Sequence, residues 1–149
     1  KVIESLMGFA AGKGQLRTRA GPRDEALRQA RVCYNHLAGE AGIQMYESLL
    51  RRRLLHLDDE GLNLSRKGHA FVADLGIDVD ALTAGRNVLC RECLDWSERK
   101  SHLAGSLGRA LFDFLQQRGI LHRDRSSRAV TFNPRGERFF EKLFPLKAP

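Results

Sequence analysis

Two short thiol-bearing patterns offer this chain its most definite chemistry. Cys33 and His36 form a C-x-x-H, and Cys90 and Cys93 form a C-x-x-C. Together these four donors are of the kind that hold zinc, and the three thiolates among them suit softer ions such as cadmium or lead. Against that stands the position of Cys33 among apolar residues, where a free cysteine behaves as a small buried hydrophobe. Structural thiols are therefore the plainer reading, and a thiophilic metal ion at Cys33, His36, Cys90 and Cys93 is the alternative. No cofactor is required by either. Three cysteines, an odd number, suit a reducing compartment better than a disulfide framework.

The remaining polar residues argue against an enzyme. There is no Gly-rich phosphate loop, nucleophile elbow or metal-protease helix motif. Glu92, Asp95 and Glu98 are close in sequence, but Arg91, Arg99 and Lys100 surround them, which reads as a solvated mixed-charge face. The arginines are more suggestive. Arg51 and Arg52 fall on the outer side of a helix in "LLRRRLL", and Arg123, Arg125 and Arg128 fall on a turn in "HRDRSSRAV". Guanidinium groups so placed can neutralise phosphates of double-stranded DNA. A formal net charge of +7 permits such a partner.

The elements that must position these residues come in two copies. "HLAGEAG" at 36–42 returns as "HLAGSLG" at 102–108, and the spacing that relates His36 to His102 also relates His56 to His122. Each copy reads as helix, Gly turn, helix, two short strands and helix. In the first, a helix is expected through "RDEALRQARVCYNHLAG", with Arg31 facing out. A second follows from Ile43 to about Arg53, burying Ile43, Tyr46, Leu49 and Leu50. "LLHL" and "LNL" flank the turn "DDEG" as a hairpin wing. Ser65 then caps a helix ending at Gly76, with Ala70, Phe71 and Leu75 on one face. Past a wing two residues longer, Asn133 matches Ser65, Gly136 matches Gly68 and Phe139 matches Phe71. The matched histidines follow from duplication without a site.

These elements predict a fold that is mainly α with small β wings (α+β), as two tandem winged-helix-like repeats. The divisions are 1–22, the end of an upstream helix plus a linker; 23–77, the first unit; 78–97, a connector; and 98–149, the second unit. The connector holds a short helix from Asp78 to about Ala84, then Leu94 and Trp96 as expected core. Val2, Ile3, Leu6, Met7 and Phe9 make the N-terminal stretch amphipathic, with Ile3, Leu6 and Met7 the expected seam of a homodimer. At 149 residues, 42% hydrophobic and 29% charged, the composition is that of a soluble protein. No apolar run approaches the roughly 18 residues of a bilayer span. With no signal-peptide pattern, a cytoplasmic location without membrane association is expected.

"ARVCYNHLAGEAG", followed by "CLDWSERKSHLAGSLGRAL" and the wing "SRAVTFNPRG", resembles the C-terminal region of a subgroup of bacterial ArsR-type winged-helix transcriptional regulators. The resemblance runs from about Arg28 to Leu143. It implies that an N-terminal winged helix does the DNA binding and that Lys1 to about Ala11 is the end of its last helix. The leading expectation is therefore the effector-sensing and dimerisation part of such a regulator; the resemblance does not supply the effector, for which a metal or a small molecule is the expectation. A thiolate metal-sensing module and a plain protein-interaction scaffold are the alternatives.

Overall fold

The computed structural model describes residues 25–95 and 98–147. Each repeat runs hairpin, helix, hairpin, helix. In the first, β1 (Arg31–Cys33) pairs with β2 (His36–Ala38), and α2 (Gly39–Arg51) follows directly. The wing is β3 (Leu55–Asp58) with β4 (Gly61–Leu64), and α3 (Arg66–Asp74) closes the unit. In the second, β5 (Arg91–Asp95) pairs with β6 (Lys100–Ala104), then come α5 (Gly105–Gln117), β7 (Leu121–Arg123), β8 (Val130–Phe132) and α6 (Pro134–Leu143). Two five-residue helices complete the order: α1 (Glu25–Gln29) before the first hairpin, and α4 (Val79–Thr83), capped by Asp78, between the units. The fold is thus α+β, two winged-helix-like repeats in tandem.

The leading helix of each repeat is the main departure from expectation. Residues 31–38 form an antiparallel hairpin turned by Tyr34 and Asn35, with Tyr34 at φ 60°. Val32 is β-branched and fits a strand, and a two-residue turn with positive φ matches strand twist. Arg31, expected to face out, is buried. In the second repeat the hairpin includes residues 91–95, which fall within the expected connector. Gly39 and Gly105, at φ 78° and 83°, make the sharp passage from each hairpin into its helix.

The wings and closing helices fall where the sequence put them. Ser65 Oγ accepts from the Gly68 backbone N–H at 3.0 Å, and Asn133 Oδ1 accepts from that of Gly136 at 2.7 Å. Both are N-caps at matched positions. In α3 it is Val72 that is buried, while Ala70 is exposed and Phe71 and Leu75 are half-buried.

One core serves both repeats. Leu37, Met45, Leu49, Leu103, Leu107, Leu111 and Phe144 are all sealed from solvent within a single cluster. The chain's end crosses back onto the first repeat: Gln44 Nε2 donates to the Phe144 carbonyl at 3.0 Å. The second wing also reaches the first hairpin, where the Val32 N–H donates to the Arg128 carbonyl at 2.9 Å. Leu94 is half-buried; Trp96, Ile3, Leu6 and Met7 lie outside the described residues. No described helix is long and apolar enough to cross a membrane.

Candidate metal centre

Cross-strand pairing builds the centre. Cys33 lies opposite His36 in the first hairpin, and Cys93 lies opposite His102 in the second. Facing residues of an antiparallel pair project from the same side, so each hairpin presents one thiol and one imidazole together. The two hairpins face each other across the repeat boundary, and the four ligand atoms all lie within 4.8 Å of one another. His36 Nε2 and His102 Nε2 are 3.0 Å apart, with ring centroids at 4.9 Å. His36, Cys93 and His102 are buried and Cys33 is half-buried.

The helices keep the hairpins in register. A Cβ placed on Gly42 of α2 would sit 3.5 Å from the Cβ of His102, and one on Gly108 of α5 would sit 3.5 Å from the Cβ of His36. Each helix therefore packs on the other repeat's histidine. A contact made in both directions marks an approximate two-fold relation.

Asp95 supports this arrangement from behind. It is fully buried, not part of a solvated face as its neighbours had suggested. Its Oδ2 accepts from the Gly39 backbone N–H at 2.7 Å, and its Oδ1 takes Arg31 Nη2 at 3.2 Å, so a residue of the second repeat holds two of the first. His102 Nδ1 faces the same carboxylate at 3.6 Å. A carboxylate on that side favours the N–H at Nδ1 and leaves Nε2 as a lone pair aimed into the cluster.

The electrostatics already resemble a ligand set. Hydrogen bonds from Cys93, and then from His102 and His36, outweigh burial and hold the Cys33 thiol well below its ordinary range. Burial pulls His102 down, but Asp95 and the Cys33 thiolate more than compensate and raise it. Opposite shifts of a thiol and an imidazole are what mutual charge pairing does in low-dielectric surroundings, and a metal ion would take the place of the proton they compete for.

Cys90, one of the four donors expected from the sequence, stands apart. It is buried before β5 in the apolar core, and burial pushes its thiol up to about 11. Cys90 precedes the strand and packs into the apolar core, whereas Cys93 lies on β5 with His102 across the ladder. His102 takes its place. The signal for it was in the sequence as "RVC" at 31–33 and "REC" at 91–93, each followed by "HLAG". Two residues separate Cys33 from His36, whereas eight separate Cys93 from His102. That longer turn hides the match.

The arginines divide. Arg123, Arg125 and Arg128 are exposed on the second wing. Arg51 and Arg52 instead hold the chain's end, donating from Nη1 to the carbonyls of Leu146 and Leu143 at 2.7 Å each. The Arg52 guanidinium also lies over the Phe71 ring at 5.0 Å. His56 and His122 are exposed wing residues away from the centre.

No family model matches the chain, and no solved structure matches it. Over 146 residues, 98% of its length, the chain is 34% identical to the uncharacterized HTH-type transcriptional regulator YdfF of Bacillus subtilis (strain 168), of which it spans 65%.

Proposed function

We propose that this chain is the signal-receiving and dimer-supporting part of a cytoplasmic transcriptional regulator of ArsR type. In this reading the whole protein binds double-stranded DNA through a helix-turn-helix module in its remaining length. The similarity to an HTH-type transcriptional regulator supports the regulator role. The observation that carries the sensing role is the buried centre, made half by each repeat. An occupant that bound one mutual arrangement of the repeats better than another would shift the population between them. A DNA reader attached to them then has two geometries, coupled to the occupant by linkage.

The experiment is fluorescence anisotropy of a labelled duplex from upstream of the protein's own gene, titrated with the full-length protein and with its Cys93→Ser variant. Tight, sequence-preferring binding by the wild type, with a changed affinity in the variant, is the expected result. Loss of sequence preference would sink the regulator reading. Equal affinities, with both proteins folded, would sink the sensing reading.

A second reading is favoured by the same convergence of thiols and imidazoles: a metal-sensing or metal-storing module whose thiolates carry the function without DNA. It predicts metal uptake with no effect on DNA affinity. On the regulator reading, the exposed Arg123, Arg125 and Arg128 would contact phosphate directly.

A further inference from the structure

We propose that Cys33, His36, Cys93 and His102 form a closed, four-coordinate site for a zinc-class d10 ion, each repeat contributing one thiolate and one imidazole. This deepens the sensing reading, on which it rests for its biological meaning, by naming the chemical class of the occupant.

The donor set is the first argument. Two sulfur and two nitrogen ligands disposed around a point are diagnostic of zinc or its soft relatives, not of magnesium or calcium, which take oxygen. Size is the second. Tetrahedral zinc, at about 2.3 Å to sulfur and 2.0–2.1 Å to nitrogen, sets its ligands roughly 3.3–3.8 Å apart. The cluster spans at most 4.8 Å, with its two Nε2 atoms at 3.0 Å. Adjustments of under about an ångström at side-chain ends bring these donors to the coordination distances.

Support behind the ligands is the third argument. Structural and sensing sites hold the far nitrogen of a ligating histidine with a carboxylate or carbonyl. Asp95, immobilised by Arg31 and by the Gly39 N–H, faces Nδ1 of His102 in this role. Asp95 is thus a positioning residue, acting on the ion through His102. Four ligands would fill a tetrahedral ion's positions, and three of the four are buried with the fourth half-buried. The site is closed in the manner of structural zinc centres, unlike catalytic ones.

The ion is a bolt between repeats. Each hairpin alone supplies two ligands, too few to hold zinc firmly, so occupancy requires both hairpins to face each other as they do here. What is sensed and what is held together are then the same thing.

The test uses this chain, reduced and metal-free. Cobalt(II) reports geometry through its visible bands, and zinc K-edge absorption of the zinc-loaded wild type counts ligands. Expected are tetrahedral cobalt bands with thiolate charge transfer, displaced by zinc, and a shell of two sulfurs and two nitrogens. Cys90→Ser retains both signals; Cys33→Ser and Cys93→Ser lose the tetrahedral bands. His102→Cys, which keeps a ligand and so does not depend on tolerance of a gap, converts the shell to three sulfurs and one nitrogen. Absence of tetrahedral cobalt in the folded wild type overturns the proposal. So does a shell of three sulfurs and one nitrogen in the wild type, which is what Cys33, His36, Cys90 and Cys93 would give. These outcomes are independent of operator binding: a chain that binds zinc while the full-length protein ignores it on DNA keeps the site and loses the sensing reading.

Discussion

Asp95 accepts a 2.7 Å hydrogen bond from the backbone of Gly39, and so ties the last residue of one repeat's first strand to the first turn of the other repeat's helix. The same carboxylate holds Arg31 and faces His102. One buried charge therefore connects the packing of the repeats to the orientation of a candidate ligand.

Asp95→Asn keeps the shape and removes the charge. Arg31 is then left buried without its carboxylate, and breaking a buried pair from one side costs about 3–5 kcal/mol. Urea unfolding should show that loss. Cobalt affinity should fall about 10–100-fold, the usual effect of losing a residue that orients a ligand, with the visible bands unchanged in shape. A variant as stable as wild type would remove Asp95 from this account.

Gly42→Ala introduces a methyl group into the Leu37 carbonyl and against the Cβ of His102. Overpacking of this kind costs about 1–3 kcal/mol, and here it also pushes α2 away from the opposite hairpin. Gly108→Ala, whose Cβ would lie 2.6 Å from the Leu103 oxygen, should behave alike. Weakened cobalt binding in both, measured by competition with a chelator, is the expected outcome; Gly85→Ala, in open space, is the control.

Zinc should raise the melting temperature of the reduced chain, and a chelator should lower it again. An ion that binds only the folded state stabilises by RT ln(1 + [L]/Kd), about 2.7 kcal/mol at a hundredfold excess over Kd. Differential scanning calorimetry reads this directly. Equal melting temperatures with and without zinc would count against a site that joins the repeats.

Cys90 gives a pH signature separable from the centre. Its folded thiol is raised to about 11 from an ordinary value of 9.0, because burial penalises the thiolate. Between those values the unfolded chain has lost a proton that the folded chain keeps, so stability falls as pH rises through the window. Cys90→Ala should flatten the slope relative to wild type in denaturation curves taken from pH 8 upward. At neutral pH the thiol is protonated, and iodoacetamide should leave Cys90 unmodified until the chain unfolds.

If the second wing touches DNA, replacing Arg123, Arg125 and Arg128 by Gln should reduce the salt slope of binding by roughly 3, near one unit for each phosphate contact. Arg51→Gln and Arg52→Gln should leave that slope alone and loosen the chain's end instead, since their guanidinium groups are bonded to Leu146 and Leu143.

The duplication, both wings, the caps at Ser65 and Asn133 and the short helix after Asp78 were legible because each has a local cause: a turn, a capping oxygen, a helical apolar spacing. Residues 31–38 were not. Their apolar positions satisfy a helical period by coincidence, and only the pairing of Cys33 with His36 and the burial of Arg31 against Asp95 decide for a hairpin. The ligand set of the centre depends on that hairpin. Of the C-x-x-C only Cys93 lies on the strand, and its partner is the residue across the ladder, while Cys90 turns into the core. Cys33, His36 and Cys93 could be named from sequence, whereas His102 and Asp95 required knowing which strands face each other.

The reciprocal contacts of Gly42 with His102 and Gly108 with His36 have an ancestral reading. A lone repeat meeting a second copy of itself would assemble the same two thiols and two imidazoles at its dimer interface, with both halves identical by symmetry. Joining the copies in one chain lifts that identity. The second hairpin is then free to lengthen its turn and to carry Asp95 where the first repeat has Asn35, two residues past its cysteine. The result is a matched ligand set with one histidine backed by a carboxylate, an asymmetry that a symmetric dimer of identical chains cannot encode.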